Sequence, residues 1–418
     1  MVEIIMNQIK PYKINGTINA VASKSYLQRA LAIACLAQGE SVIKNFYPSD
    51  DALVAKKILQ NFGTEISGVK NLKIVPKPFF DKENLKIYVG ESGLCLRIFS
   101  FVATLISHET EVMGAGTLLK RPIAPLIEYL QKCGVSAKTT NGSLPIFIKG
   151  QIKNKKIEID GSFSSQMLSG LLIVAPLLKH NTEIIVHNLT SKNYVSVTID
   201  VMRHFGVEVE NNDFKRFYIK GNQKYIACNY TVEGDWSAAA NLLVGAAISG
   251  QITIKGLNKN SLQPDSKIYE ILKDFGAEIT WKNGSISVCK NTLTPIKTDL
   301  SESPDLFPPV VVLAASAKGL SVIKGTHRLI HKESNRLQAI LSAFTKMGLQ
   351  IENKEDTLFI NGSGTLNGAT IDSFDDHRIV MCAAIARIIA KGDIILNSIN
   401  AVNKSYPTFF KDLKKISE

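Results

Sequence analysis

The sequence predicts an α/β protein of two lobes, built from six similar helix-strand units of about 70 residues. Two periodic features and the length of the chain support this fold class. A glycine that ends an amphipathic helix recurs at nearly constant spacing, and a nearly all-apolar helix with a polar start recurs at the same spacing. The chain has 418 residues, which is more than one hydrophobic core usually serves.

The first periodic feature is an apolar helix that ends in a glycine turn. The five glycines are spaced by 71, 72, 70 and 72 residues. An apolar residue precedes each glycine by four positions and another follows it by three, a pattern that predicts a helix C-terminus leading into a strand. The turns are Phe62-Gly63, Cys133-Gly134, Phe205-Gly206, Phe275-Gly276 and Met347-Gly348.

The second periodic feature is a helix with a polar start and an apolar remainder. The starts are spaced by 67, 72, 71, 70 and 71 residues. Helices that are hydrophobic on every side are typically buried, so we expect these to form the core. The starts are at Ser25, Ser92, Ser164, Asp235, Asp305 and Asp376.

A strand-like run follows each of these buried helices. The repeating unit is therefore a buried helix, a strand, an amphipathic helix and another strand. The runs are Ser41 to Lys44, Glu111 to Met113, Thr182 to Val186, Gln251 to Lys255, Ser321 to Lys324 and Asp393 to Leu396.

The two ends of the chain are expected to complete one unit. The sixth unit ends in Tyr406 to Ile416 without a closing glycine turn and strand, whereas Val2 to Ile9 is a strand-like segment without a partner. We therefore expect residues 1–21 and 234–418 to form one lobe with units four to six. Residues 22–233 would form the other lobe, with units one to three and the active site in the cleft between the lobes.

The composition argues against several classes of protein. The longest apolar run, Leu168 to Leu178, is too short to span a bilayer, and the N-terminus lacks a secretory signal, so we expect a soluble cytosolic protein. Six scattered cysteines predict neither disulfides nor a zinc site. The net charge of +12 favours an anionic partner, but no basic run alternates with aromatic residues as in proteins that bind single strands.

The polar starts of the buried helices are candidate anion sites, because helix N-termini carry free N–H groups and a positive dipole end. A Ser or Asp at any one start is usually only a helix cap. Capping does not explain the Lys, Arg and His that accompany several starts. These starts are Ser23-Lys24-Ser25 with Arg29, Glu91-Ser92-Gly93 with Arg97, and Asp375-Asp376-His377-Arg378.

Further basic residues lie outside the helix starts, at Arg121, Lys332, Arg336 and Lys404. Several such groups in one site predict substrates with several negative charges, since guanidinium groups suit phosphate and carboxylate oxygens. Two carboxylates, Asp305 at a helix start and Glu333 next to Lys332, could move protons. The sequence contains no metal-ligand cluster, phosphate loop or nucleophile elbow, so we expect transfer chemistry without a cofactor.

Nine short motifs extend along the chain. They are SKSxxxR at Ser23 to Arg29, SGxxxR at Ser92 to Arg97, RPI at Arg121 to Ile123, DGSxSSQ at Asp160 to Gln166, SKxY at Ser191 to Tyr194, EGD at Glu233 to Asp235, PD at Pro304-Asp305, KESxR at Lys332 to Arg336 and DHR at Asp376 to Arg378. Together they resemble the EPSP synthase family over essentially the full length. The resemblance implies the inverse α/β barrel fold of that family. It also implies transfer of the enolpyruvyl group of phosphoenolpyruvate to the 5-hydroxyl of shikimate 3-phosphate, a step of chorismate and aromatic amino acid biosynthesis.

By the same resemblance, individual residues acquire expected roles. Asp305 would be the base and Glu333 the acid, with Lys24 assisting. The only expected partners are the two small substrates, with no nucleic acid, no membrane and a monomeric chain. Shikimate 3-phosphate would be held by Lys24, Ser25, Arg29, Ser164, Ser165, Gln166, Ser191, Asp305 and Lys332. Phosphoenolpyruvate would be held by Lys24, Gly93, Arg121, Gln166, Arg336, Arg378 and Lys404.

Three other interpretations are open at this point. UDP-N-acetylglucosamine enolpyruvyl transferases share the fold and chemistry, but they carry a reactive Cys where this chain has Gly116. A noncatalytic anion-binding protein on the same scaffold is the second, since fold does not fix function, although Asp305, Glu333 and Lys24 argue against it. A basic nucleic-acid binder is the third and is the least supported. The chain departs from the commoner family pattern at Glu91, Leu94, Arg328 and Asn335.

Overall fold

The computed structural model describes residues 12–78, 81–106 and 108–418, which include twelve α-helices and 22 β-strands. The expected strand at Val2 to Ile9 lies outside the described residues. The chain divides into a terminal unit, Met1–Val21 with Gly234–Glu418, and a central unit, Ala22–Glu233. The first described strand, β1 (Asn15–Asn19), belongs to the terminal unit.

The central unit contains six helices and twelve strands among its described residues. The helices are α1 (Lys24–Leu36), α2 (Asp50–Asn61), α3 (Gly93–Val102), α4 (Ala124–Lys132), α5 (Ser165–Val174) and α6 (Lys192–His204). The strands are β2 (Ser41–Lys44), β3 (Glu65–Ser67), β4 (Leu72–Val75), β5 (Lys86–Tyr88), β6 (Thr110–Met113), β7 (Ser136–Thr139), β8 (Ile146–Lys149), β9 (Lys156–Asp160), β10 (Thr182–His187), β11 (Glu210–Asn212), β12 (Arg216–Ile219) and β13 (Asn229–Thr231).

The terminal unit continues the same alternation after the central unit. Its helices are α7 (Trp236–Ser249), α8 (Ile268–Asp274), α9 (Phe307–Ser316), α10 (Arg336–Lys346), α11 (His377–Ala386) and α12 (Phe409–Lys415). Its further strands are β14 (Gln251–Lys255), β15 (Glu278–Lys282), β16 (Ser285–Cys289), β17 (Lys297–Asp299), β18 (Gly319–Lys324), β19 (Gln350–Lys354), β20 (Thr357–Gly362), β21 (Leu366–Ile371) and β22 (Ala390–Leu396).

One sheet pattern recurs in both units. The strand after a buried helix pairs in parallel with one neighbour and antiparallel with the second strand of a hairpin. The central unit has the orders β13-β2-β4-β3, β5-β6-β8-β7 and β9-β10-β12-β11. The terminal unit has β1-β14-β16-β15, β17-β18-β20-β19 and the pair β21-β22. The amphipathic helix is thus followed by a hairpin of two strands, where the sequence predicted one strand.

Two strands pair with the sheet of a distant repeat instead of with the repeat that follows them in sequence. β1 precedes α1 in sequence but pairs with β14, with Asn15 opposite Gln251. β13 precedes α7 but pairs with β2. Each of these sheets therefore combines strands that lie far apart in sequence.

The predicted difference between the two classes of helix is confirmed. Every residue of α3 and every residue of α11 is buried, as expected for helices that are apolar on all sides. The amphipathic α2 instead buries one face. The five predicted helix-ending glycines, Gly63, Gly134, Gly206, Gly276 and Gly348, all have positive φ, which confirms the predicted C-terminal turns. No helix in the described part of the chain is long and apolar enough to cross a membrane.

Candidate active site

The start of α1 carries three of the predicted substrate ligands, Lys24, Ser25 and Arg29. The Lys24 ammonium lies 3.0 Å from a carboxylate oxygen of Asp51 on α2, and both side chains are largely buried. This ion pair holds the lysine at the start of the helix rather than in open solvent.

Arg29 is 1% exposed and joins three helices of the central unit. Its Nε donates to Thr198 Oγ1 at 2.7 Å, its Nη1 to the Ser25 carbonyl at 2.8 Å, and its Nη2 to Ser169 Oγ at 3.3 Å. Burial lowers the pKa of Arg29 to about 10, and these acceptors are neutral. The Arg29 charge would therefore interact favourably with an anion bound nearby.

Two guanidinium groups flank the first residue of α3, Gly93. Arg97 Nη1 donates to the Gly93 carbonyl at 2.9 Å and to Gln166 Oε1 at 3.2 Å. A Cβ on Gly93 would lie 2.6 Å from Arg97 Nη1 and 2.9 Å from Arg121 Nη1. The lack of a side chain at Gly93 therefore lets both cations approach the backbone at a helix N-terminus, which is a suitable arrangement for binding a phosphate.

The predicted serines lie at the starts of α5 and α6. Ser164 caps α5, because its hydroxyl accepts a hydrogen bond from the Gln166 backbone N–H at 3.2 Å. Ser165 is the first residue of this helix and is buried. Ser191 precedes α6 with a left-handed backbone, at a φ of 54°. Ser164 thus acts as a cap in this structure, the alternative that the sequence left open for any single serine.

In the terminal unit, the fully buried Arg336 binds three carboxylates. Its Nε lies 2.9 Å from Asp376 Oδ2, its Nη1 2.7 Å from Asp305 Oδ1, and its Nη2 2.5 Å from Glu333 Oε2. Burial by itself would lower the pKa of Arg336, but these three carboxylates outweigh burial and raise it. The guanidinium therefore holds the predicted base and the predicted acid in one cluster.

Asp305 is bound by three cations. Besides Arg336, its Oδ1 lies 3.6 Å from Lys332 Nζ, and its Oδ2 lies 2.9 Å from Arg378 Nη2. Burial by itself would raise the pKa of Asp305, but Arg378, Lys332 and Arg336 together lower it below its usual range. Burial also lowers the pKa of Lys332. Asp305 is therefore an ionised carboxylate whose proton affinity depends on these neighbours.

Two of the predicted cations, Arg378 and Lys404, lie at the start of α11. Asp376 caps the helix by accepting a hydrogen bond from the Arg378 N–H at 2.9 Å, and it also accepts one from Ser334 Oγ at 3.1 Å. Lys404 donates to the Asp375 carboxylate at 2.6 Å and to the Asp375 carbonyl at 2.8 Å. These contacts place Lys404 beside the start of the helix that carries Arg378.

A further carboxyl group, Asp265, is buried close to this cluster in the fold. It accepts a hydrogen bond from the Ser237 hydroxyl. The Ser303 hydroxyl donates to the Pro264 carbonyl at 2.8 Å, which joins the turn of Asp265 to the turn of Asp305. Burial, followed by the negative charge of Asp305, raises the pKa of Asp265 to about 7.

The structure thus brings together five of the predicted residues in the terminal unit, namely Asp305, Lys332, Glu333, Arg336 and Arg378. The assignment from sequence left out Asp51, Arg97, Asp265 and Asp376. The helix starts named from sequence include Arg97 and Asp376, but these two residues were given no role as ligands or catalytic groups. Asp51 could have been identified as an acidic residue on the buried face of an amphipathic helix. Within the described ranges, no group of three or more His, Cys, Asp or Glu is placed to hold a metal ion.

Comparison with known proteins gives consistent results for sequence and structure. The family model of EPSP synthase (3-phosphoshikimate 1-carboxyvinyltransferase) matches residues 9–413. A 3-phosphoshikimate 1-carboxyvinyltransferase of Clostridium novyi is 37% identical, over 98% of this chain and 97% of the relative. One from Methanococcus maripaludis is 36% identical, over 97% of each.

Solved structures of EPSP synthase from Acinetobacter baumannii resemble this fold. One has a TM-score of 0.83 and 26% identity, and the match covers 97% of this chain and 96% of the solved chain. The second has a TM-score of 0.81. These similarities confirm the predicted fold class. Given the family match over nearly the whole length, the chain belongs to the EPSP synthase family, the 3-phosphoshikimate 1-carboxyvinyltransferases of the shikimate pathway.

Proposed function

We propose that this transferase, which moves the enolpyruvyl group of phosphoenolpyruvate to the 5-hydroxyl of shikimate 3-phosphate, uses Asp305 as base and Glu333 as acid. The cluster around Arg336 is the observation that carries the proposal. One guanidinium binds both carboxylates, so they are oriented together as a candidate pair for proton transfer.

The bonds change in two steps. First, the 5-hydroxyl oxygen attacks C2 of phosphoenolpyruvate, Asp305 takes the hydroxyl proton, and C3 gains a proton from Glu333 with the electrons of the C2–C3 double bond. Second, the Glu333 carboxylate takes a proton back from C3, and the electrons of that C–H bond re-form the C2–C3 double bond. The bond from C2 to the phosphate oxygen breaks, and Asp305 returns its proton to the leaving phosphate. Phosphate leaves, and Lys24 assists these proton transfers.

Substrate binding would make Asp305 a stronger base. Arg336 and Arg378 both pair with Asp305 in this structure, and both are proposed ligands of phosphoenolpyruvate. When the two arginines also bind the phosphate and carboxylate of the substrate, the arginines stabilise ionised Asp305 less. Burial of Asp305 then raises its pKa. The base would therefore become effective only when its reaction partner is bound.

Residues of both units are proposed to act on the same two substrates. The central unit would supply Gly93, Arg121, Gln166 and Lys24 to phosphoenolpyruvate, and the terminal unit would supply Arg336, Arg378 and Lys404. Shikimate 3-phosphate would be held by Ser25, Arg29, Ser164, Ser165, Ser191, Lys24 and Gln166 of the central unit, with Asp305 and Lys332 of the terminal unit. In this proposal the cations would offset the charge of the two phosphates and two carboxylates of the substrates.

The test is phosphate release from phosphoenolpyruvate with each of two acceptors. We expect release with shikimate 3-phosphate and none with UDP-N-acetylglucosamine. The second enzyme class carries a reactive thiol where this chain has Gly116. Release with UDP-N-acetylglucosamine alone would contradict the proposed acceptor.

A further inference from the structure

Glu91 lies between the two segments that carry Gly93 and Arg121. β5 and β6 run parallel, and their backbone hydrogen bonds continue past the strands. Val89 N donates to the Met113 carbonyl at 2.8 Å, and Ala115 N donates to the Gly90 carbonyl at 2.8 Å.

The next hydrogen bond in this series uses a side chain in place of the backbone. The Glu91 carboxylate accepts from the Thr117 N–H at 2.9 Å and from the Thr117 hydroxyl at 2.8 Å, both on Oε2. Thr117 belongs to the short 3₁₀ helix Gly116–Lys120. One carboxylate oxygen thus attaches this 3₁₀ helix to the segment that leads into α3.

Gly116 has no side chain at the place where the Glu91 carboxylate lies. A Cβ on Gly116 would lie only 2.6 Å from Glu91 Oε2, well inside van der Waals contact. The φ of Gly116 is +56°, in the left-handed region. Glu91 and a side chain at position 116 therefore exclude each other.

The 3₁₀ helix fixes the position of the Arg121 backbone. Arg121 N donates to the Leu118 carbonyl at 3.1 Å, and Leu118 is fully buried. The guanidinium of Arg121 then lies against Gly93, close to Arg97. A shift of the 3₁₀ helix would shift this guanidinium relative to the N-terminus of α3.

We propose that Glu91 is a positioning residue for Arg121, and that by fixing the Gly116–Lys120 helix it sets the affinity for phosphoenolpyruvate. The proposal rests on the proposed function, in which Arg121 binds this substrate. Glu91 acts through hydrogen bonds to Thr117 and through the volume it fills above Gly116, without touching the substrate.

Steady-state kinetics of single variants test the positioning role. Glu91→Ala should raise the KM for phosphoenolpyruvate about tenfold, the effect of one lost hydrogen bond to a charged group, with little change in kcat or in the KM for shikimate 3-phosphate. Glu91→Gln keeps an oxygen acceptor for Thr117 and should stay near the parent values. The matched control is Glu111→Ala, which removes a carboxylate from β6 of the same strand pair. Glu111 binds Lys86 at 3.0 Å, and its replacement should leave the kinetics unchanged.

Double variants separate positioning from general damage. If Glu91 acts through Arg121, Glu91→Ala combined with Arg121→Ala should have the KM of Arg121→Ala alone. Gly116→Ala should raise the KM for phosphoenolpyruvate by displacing the carboxylate, and it should add little in the Glu91→Ala background.

Three outcomes would overturn the positioning role. These are additive effects of the Glu91 and Arg121 variants, an unchanged KM in both Glu91→Ala and Gly116→Ala, or equal losses in kcat and in both KM values. If Arg121→Ala itself leaves the KM for phosphoenolpyruvate unchanged, the assigned role of Arg121 fails, and the proposal for Glu91 fails with it. Transfer activity of the parent protein is measured separately in the phosphate-release assay.

Discussion

Asp305 both binds three cations and, as proposed, accepts a proton, and these two roles have opposite requirements. The cations that hold it keep it ionised, so they weaken it as a base. An amide at this position would keep the shape and the hydrogen-bond acceptor, but it could not take the proton. Arg336 and Arg378 would also lose a competing negative charge.

We therefore predict that Asp305→Asn lowers kcat by about 10² to 10⁴ while the KM for phosphoenolpyruvate stays the same or falls. Steady-state kinetics with both substrates provide the measurement. Asp299→Asn is the matched control, because Asp299 lies on β17 and its carboxylate accepts hydrogen bonds from the Ser301 N–H and hydroxyl. A near-normal kcat in Asp305→Asn would remove Asp305 from the role of base.

Asp265 gives a prediction about pH. Its pKa is raised to about 7 by burial and by Asp305, with Arg378, Ser237 and Asp235 as its other neighbours. Above this pH its new negative charge would compete with the substrate for Arg378. We expect kcat/KM for phosphoenolpyruvate to fall as the pH rises through about 7 in the parent protein, and this fall to be absent in Asp265→Asn.

The raised pKa of Asp265 also makes the stability of the folded protein depend on pH. An acid whose pKa is raised on folding binds a proton in the folded state after the unfolded chain has lost it. Between about pH 4, the unfolded value, and pH 7, the parent protein should therefore lose stability relative to Asp265→Asn. Thermal unfolding of both proteins across this range would show the difference. A constant difference would indicate that Asp265 does not titrate near neutrality.

Among the elements, α11 has a cap residue, Asp376, that is also one of the carboxylates bound by Arg336. Asp376 accepts a hydrogen bond from the Arg378 N–H, and it also pairs with the buried Arg336. We predict that Asp376→Asn, which can still cap, is destabilised because the Arg336 charge is less well compensated, and that Asp376→Ala loses about 1 kcal/mol more with the cap. Asn335→Ala, at the exposed cap of α10, should lose only the capping contribution.

Urea unfolding of these three variants gives the measurement, because each contribution appears as a shift of the midpoint. The outcome that would contradict this account is an Asp376→Ala protein as stable as Asn335→Ala. In that case Arg336 would not depend on Asp376 for compensation of its charge.

At this same scale, the sequence predicts the helices better than the strands. The buried and amphipathic helices differ in hydrophobic pattern along their whole length, so periodicity is enough to predict them. The hairpin was read as one strand, although Asn283-Gly284 between β15 and β16 has the left-handed backbone of a two-residue turn and was a usable signal. Residues of the candidate site were named where motifs mark helix starts. Asp265 was not, because its environment is formed by Ser237 and Asp305, which are distant in sequence.

For the whole molecule, the proposed ligands fall unequally on the two units. Seven of the nine proposed ligands of shikimate 3-phosphate belong to the central unit, whereas those of phosphoenolpyruvate come from both. We predict that shikimate 3-phosphate alone slows hydrogen exchange mainly in α1, α5 and α6. Adding an unreactive analogue of phosphoenolpyruvate should extend this protection to α10 and α11.

Hydrogen exchange measured peptide by peptide would test this, because local opening is suppressed where a ligand binds. The strands β11 and β12, which carry no proposed ligand, serve as the internal control. Protection by the analogue that stays within one unit would contradict the assignment of its ligands to both units.

The pairing of β1 with β14 has a consequence for synthesis on the ribosome. β1 is made first, but its parallel partner β14 follows only after the whole of Ala22–Glu233 has been made. The central unit is one continuous segment, so it can fold on the nascent chain before β14 is made and β1 can pair. Asp235 N donates to the Val21 carbonyl at 2.8 Å, so the two ends of the interrupted terminal unit already meet. The terminal unit is thus discontinuous in the sequence, and the whole of Ala22–Glu233 is translated between its two parts.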